Sequence, residues 1–132
     1  MPKFGKKSRE KLDTCDEDLQ ELFEVVVKYF DCSVIEGHRN MYWQDKYFKE
    51  GKSKLKFPHG KHNADPSNAV DVVPYPIDWK DTDRMYYFAG FVKGVAAVMG
   101  IPVRWGGDWN SDTQVKDTSF KDLPHFELRR II

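Results

Sequence analysis

His59-Gly60-Lys61-His62-Asn63-Ala64-Asp65-Pro66-Ser67-Asn68-Ala69-Val70-Asp71, running on into Val72-Val73-Pro74, is the stretch on which the reading of this chain turns. Its first part is polar and rich in turn formers, and its end is a short apolar run interrupted by one carboxylate. Strand alternation puts Asp71 on the opposite face from Val70 and Val72. An unpaired carboxylate is costly to bury, so Asp71 calls for a metal or a cationic partner. Near the C-terminus, Asp122-Leu123-Pro124-His125-Phe126-Glu127-Leu128 sets a second histidine beside an apolar strand, with an acid three residues before it. Two imidazoles, one ligand carboxylate and one spare carboxylate are the components of a hydrolytic zinc site, where three protein ligands leave a position open to water. The two segments are expected to meet around one ion. His59 offers the same chemistry as His62, and a salt bridge from Asp71 to Arg39 or Arg104 is the plain structural alternative.

Asp122 lies across a proline-containing turn from His125, near enough to share its space without ligating. That suits a general base acting on water made acidic by a metal. Glu127 is the rival base, but alternation turns it to the same face as His125, where it can support that histidine instead. Arg39 follows a short strand and Gly37, and a guanidinium there can clamp a substrate carboxylate or stabilise an oxyanion.

Around these residues the periodicity predicts helices packed on a small sheet. Leu19, Leu22, Phe23, Val26, Val27 and Phe30 recur at three- and four-residue steps, giving a helix over 15–30, with Thr14 and Glu17 at capping-box spacing. Residues 33–36 read as a strand and 41–50 as a helix capped by Asn40, with Gly51 as its stop. Residues 52–68 form a long loop, a length that is usually functional or disordered, and 69–73 a strand. Asp81 or Thr82 caps a third helix ending at Met99, whose apolar face includes Tyr87, Phe88, Val92 and Val98. Strands follow at 103–105 and from 125. The irregular order of short strands and helices predicts an α+β fold: a small, mainly antiparallel sheet with helices packed beside it.

Length and composition narrow the function classes. One domain over residues 1–132 is expected, large enough for a real core. Lys and Arg total 21, as do Asp and Glu, and a net charge of zero argues against a nucleic-acid binder. The lysine-rich start, followed by an acidic stretch, reads as solvated surface. Cys15 and Cys32 lack the spacing of a zinc ribbon or redox motif and read as buried thiols. No apolar signal segment and no run long enough for a membrane span is present, so synthesis in a cytoplasm without membrane insertion is expected.

Glu36-Gly37-His38-Arg39, Lys61-His62 through Ala69-Val70-Asp71, Trp105-Gly106-Gly107-Asp108-Trp109 and Asp122-x-x-His125-Phe126-Glu127-Leu128 occur in that order. Together they resemble the zinc-dependent L-alanyl-D-glutamate peptidase endolysins of bacteriophages, within the D-Ala-D-Ala carboxypeptidase group that includes the VanX and VanY enzymes. The resemblance spans most of the chain. It implies a single Zn2+ on His62, Asp71 and His125, with Asp122 as catalytic base and Arg39 in binding or charge stabilisation. Trp105, which opens its motif, is a further candidate for substrate binding. The implied fold is that of the hedgehog and D-Ala-D-Ala peptidases. The implied activity is cleavage of the L-Ala–D-Glu bond of peptidoglycan on host lysis, by a monomer released to the periplasm with a holin's help. D-Ala-D-Ala cleavage and a non-catalytic zinc-stabilised wall-binding domain are the alternatives. The family pattern S-x-H-x-x-G-x-A-x-D departs here in two ways: Gly60 replaces serine, and Pro66-Ser67 lengthens the loop. Asp108, Asp112 and Asp117 are the carboxylates available for a regulatory Ca2+.

Overall fold

The computed structural model describes residues 1–129. The last three positions of the expected domain lie outside the described residues. The chain order is α1 (Lys6–Leu12), α2 (Glu17–Tyr29), β1 (Cys32–Glu36), α3 (Met41–Lys49), a 3₁₀ turn (Lys61–Asn63), β2 (Ala69–Pro74), α4 (Thr82–Met99), β3 (Val103–Gly106) and β4 (Asp122–Leu128). The four strands form one antiparallel sheet in the order β1-β2-β4-β3, an α+β architecture.

Strand parity divides the sheet into two chemically different faces. Val70 pairs with Phe126, and Trp105 also pairs with Phe126, so these side chains share one face. Helices α2 and α4 cover it. Phe126 is fully buried and meets Phe23 and Phe88 edge to face, at centroid distances of 5.5 and 6.1 Å. Full burial of each such ring contributes on the order of 1.5–3 kcal/mol. The opposite parity carries Asp71, His125, Glu127 and Arg104. The core therefore lies on one side of the sheet and the polar cluster on the other.

Several local expectations are corrected. Thr14 does not cap α2: Asp16 does, its Oδ1 accepting from the Asp18 N–H at 2.9 Å. The Thr14 hydroxyl donates to the Lys11 carbonyl at 2.6 Å and accepts from the His38 N–H at 2.8 Å, tying α1 to the loop after β1. The lysine-rich start is helical, and α1 shields the outer edge of β1, where the Val34 N–H donates to Ser8 Oγ at 3.0 Å. Tyr87 and Val98 of α4 are exposed rather than part of its core face. Strand β4 begins at Asp122 rather than at His125, so the acid is built into the sheet. Cys15 and Cys32 are free and buried, and burial pushes both thiols up to about 12. Among the described residues no helix is long and apolar enough to cross a membrane.

Candidate metal centre

The register of the sheet assembles the centre. Asp71 of β2 stands directly opposite His125 of β4 and, on its other side, opposite Glu36 of β1. Directly opposed residues of an antiparallel pair project to the same face. His62 reaches the same point from the 3₁₀ turn. It is anchored there by its own backbone carbonyl, which accepts from the Arg39 N–H at 2.8 Å.

Three donor atoms converge. His62 Nε2 lies 3.2 Å from Asp71 Oδ1, His125 Nδ1 lies 3.3 Å from the same oxygen, and the two nitrogens are 3.3 Å apart. Asp71 Oδ1 is buried and accepts no well-directed hydrogen bond despite both close nitrogens, which leaves it free to ligate. Donors at these mutual spacings match bonds of about 2.0 Å to one tetrahedral ion. Among the described residues this trio is the one group of three such side chains able to hold a metal.

The outer nitrogens fix which ring atoms face inward. His62 Nδ1 donates to the Gly37 carbonyl at 2.7 Å, leaving the Nε2 lone pair to the centre. His125 Nε2 donates to Glu127 Oε1 at 2.8 Å, leaving Nδ1. Glu127 is held in turn by Arg104, whose Nη2 donates to Oε2 at 2.8 Å. Such outer partners orient metal-ligating imidazoles and raise their basicity.

Without an ion, protons answer the same field. Burial would raise the Asp71 carboxyl, but His62 and His125 beside it hold it well below the usual carboxylate range. Burial would lower the His125 imidazole, but Asp71 and Glu127 push it up to about 10. A proton on His125 thus takes the place a cation would fill.

Asp122 stands beside the trio, its Oδ2 3.8 Å from His125 Nδ1, with its side chain 35% exposed. Gly106 makes this possible: a Cβ there would collide with the Asp122 carbonyl, so only glycine lets β3 close against the start of β4. Burial first, and then the charge of Asp71, push Asp122 above the ordinary carboxylate range. Arg39 lines the same cleft from the opposite wall, its guanidinium paired with both oxygens of Glu36 at 2.9 and 2.7 Å and donating to Gln44 Oε1 at 2.9 Å. The cleft holds about 510 Å³ and opens onto His62, His125 and Asp122.

A family model described as phage L-alanyl-D-glutamate peptidase matches residues 1–129. The chain belongs to the phage L-alanyl-D-glutamate peptidase family. The L-alanyl-D-glutamate peptidase of Escherichia phage T5 is 28% identical to it over 120 residues, 87% of either chain. The crystal structure of the Serratia marcescens L-Ala D-Glu endopeptidase ChiX matches at a TM-score of 0.76 and 30% identity, covering 97% of this chain and 91% of that one.

The remaining candidates of this phage-family peptidase fall on either side of the cleft wall. His59 is exposed on the loop and takes no part in the trio, whereas His62 is 3% exposed within it. Trp105 does not reach the cleft. It is 5% exposed, packs edge to face on Tyr86 at 5.5 Å and donates its indole N–H to the Leu123 carbonyl at 2.7 Å. The parity that turns Arg104 outward turns Trp105 into the core. Trp109 lines the cleft instead, its ring 5.4 Å from that of His125 and stacked on Phe120 at 6.3 Å. Alternation across Val103-Arg104-Trp105 was the available signal for this exchange.

The departures in the loop also have physical reasons. A Cβ on Gly60 would sit 2.6 Å from Gln44 Oε1, so the buried amide of α3 occupies the space of a serine side chain. Asn68 keeps an ordinary backbone, its N–H donating to the Lys61 carbonyl at 3.2 Å; among the described residues the left-handed non-glycine positions are Ser111 and Thr113. Ser67 is pinned to the α1–α2 junction, donating its N–H to Thr14 O at 2.9 Å and accepting from Asp16 N at 2.8 Å. Asp108 serves the turn after β3, accepting from the N–H groups of Asp112 and Thr113 at 3.2 and 3.0 Å. Those bonds close the turn on its own groups and lend calcium no support.

Proposed function

We propose that this chain is a zinc-dependent endopeptidase that opens the L-Ala–D-Glu bond of peptidoglycan stem peptides, as a phage endolysin acting at host lysis. His62, Asp71 and His125 would hold one zinc ion, Asp122 would be the general base, and Arg39 would bind or stabilise charge on the substrate. The observation that carries this reading is the triangle of Nε2, Nδ1 and Oδ1 at 3.2–3.3 Å, with the Asp122 carboxylate 3.8 Å from His125 Nδ1, in a chain of this family.

Zinc in such a site supplies Lewis acidity and makes water acidic enough to ionise near neutral pH. Asp122 takes the proton of the attacking water and hands it to the departing D-Glu amine. Its side chain stands beside His125 without joining the trio, which leaves it free for both halves of that transfer. Arg39 is held rigid by Glu36 and Gln44, so its positive charge needs little reorganisation as negative charge grows on the scissile carbonyl oxygen. Glu127 and Gly37 keep both imidazoles turned, and Trp109 with Phe120 forms an apolar wall that limits water.

The enzyme is read as one monomeric domain, made in the host cytoplasm and released to the wall through a holin. The test is muralytic activity on purified sacculi, lost on chelation, restored by zinc and lost in Asp122→Asn. Mass analysis of the fragments then names the bond: a new D-Glu amino terminus supports the reading, and freed D-alanine refutes it.

A further inference from the structure

The segment from Met41 to Lys61, which forms one side of the cleft, combines an excess of lysine with exposed apolar side chains. It carries six lysines against Asp45 and Glu50, a net charge of +4 in a chain whose total is zero. It also exposes apolar surface: Met41, Tyr42 and Trp43 on α3, and Leu55 and Phe57 on the loop that follows. A surface helix ordinarily buries its apolar stripe, but the residue α3 buries is Gln44. That amide is committed to the fold, bonded to Arg39, to Ser53 Oγ and to the Leu55 carbonyl. The helix is thus held in place by a polar anchor while Tyr42 and Trp43, their rings 5.2 Å apart, remain exposed, and clustered exposed apolar surface marks a binding site.

Cations and rings are interleaved along this flank. Lys46 lies over Trp43 at 4.8 Å, Lys56 over Phe48 at 5.1 Å, and Lys54 over Phe120 at 5.1 Å. The flank is continuous with the cleft, because Lys52, Lys54 and Leu55 line both. A ligand suited to this surface presents carboxylates and rigid apolar ring faces together, next to the bond being cut. A peptidoglycan strand has both: stem peptides with free carboxylates, and pyranose rings.

We propose that the 41–61 flank docks the peptidoglycan strand beyond the scissile residues, its lysines on stem carboxylates and its rings against sugar faces. The proposal rests on the peptidase reading and adds a wall-docking surface outside the catalytic cleft.

The test uses Lys46→Glu/Lys49→Glu/Lys56→Glu, three exposed positions that do not line the cleft. Two substrates are compared: purified sacculi, and the N-acylated soluble tripeptide L-Ala–D-Glu–diaminopimelate. The KM on sacculi is expected to rise about tenfold or more while tripeptide hydrolysis stays within about twofold of the parent, because charge reversal removes local attraction to the polymer alone. Trp43→Ala, which leaves the charge intact, is expected to raise the same KM. An unchanged KM on sacculi in both variants, or an equal loss on both substrates, overturns the proposal. Cosedimentation with sacculi and with phosphatidylglycerol vesicles is run in parallel; preference for the vesicles overturns it in favour of a membrane surface. Should the parent cleave neither substrate, the peptidase reading fails, and cosedimentation with sacculi alone decides the docking surface.

Discussion

Glu127 Oε1 receives the Nε2 proton of His125 at 2.8 Å while its other oxygen is held by Arg104, so an ion pair spanning β3 and β4 sets the orientation of an imidazole of the His62–Asp71–His125 trio. Both residues lie two apart on one strand, and Arg104 stands directly opposite Glu127 on the next. The sheet register therefore determines which nitrogen of His125 faces the centre.

Glu127→Gln is expected to weaken zinc binding about 10- to 100-fold, the usual effect of removing such an outer partner. Competition against a chromophoric chelator measures it. Unchanged zinc affinity with a normally folded variant would remove Glu127 from this role.

Asp122→Asn is expected to lower kcat by about 10²–10⁴, the contribution typical of a general acid–base group, with zinc content unchanged. Asp122 lies 3.8 Å from His125 and stays outside the trio, so metal analysis and steady-state kinetics of the same sample separate the two effects. A variant that loses its zinc would count Asp122 among the ligands.

The pH dependence of metal uptake follows from His125, raised from 6.5 to about 10 in the metal-free centre. A raised folded pKa contributes stability that is complete below the unfolded value and is lost as pH climbs toward the folded one. The metal-free protein should therefore lose thermal stability between pH 6.5 and about 10. Zinc must displace that proton, so its affinity should rise over the same window. Melting curves with chelator and with zinc should diverge as pH increases; parallel curves would contradict the assignment. At the acid end Asp71, held low, contributes stability present above its ordinary range and lost as pH falls below it.

The two tryptophans near β3 should separate cleanly. Trp105→Ala removes a buried ring and is expected to cost about 3–5 kcal/mol in urea unfolding. Trp109→Ala, on the cleft wall, is expected to raise KM with a smaller loss of stability. The reverse pattern would place the substrate against Trp105.

Much of this was legible in the residues themselves. An aspartate alternating with valines announced a partnered carboxylate, and two histidine-bearing segments supplied the rest of a metal set. The periodicities of α2 and α4 located the main helices. Cross-strand neighbours were not legible, because alternation within a strand says nothing about which residue stands opposite. Asp71 against His125 and Arg104 against Glu127 are consequences of register. The choice of His62 over His59 likewise rests on a turn pinned by Arg39 and by the Gly37 carbonyl. The sequence by itself determined which side chains were available for chemistry and which segments would be helix or strand, since those follow from local spacing and side-chain type. Only the tertiary structure decided which of them meet, because a ligand triangle a little over 3 Å on a side needs His125, 54 positions beyond Asp71, brought opposite it by the hydrogen bonds of a sheet.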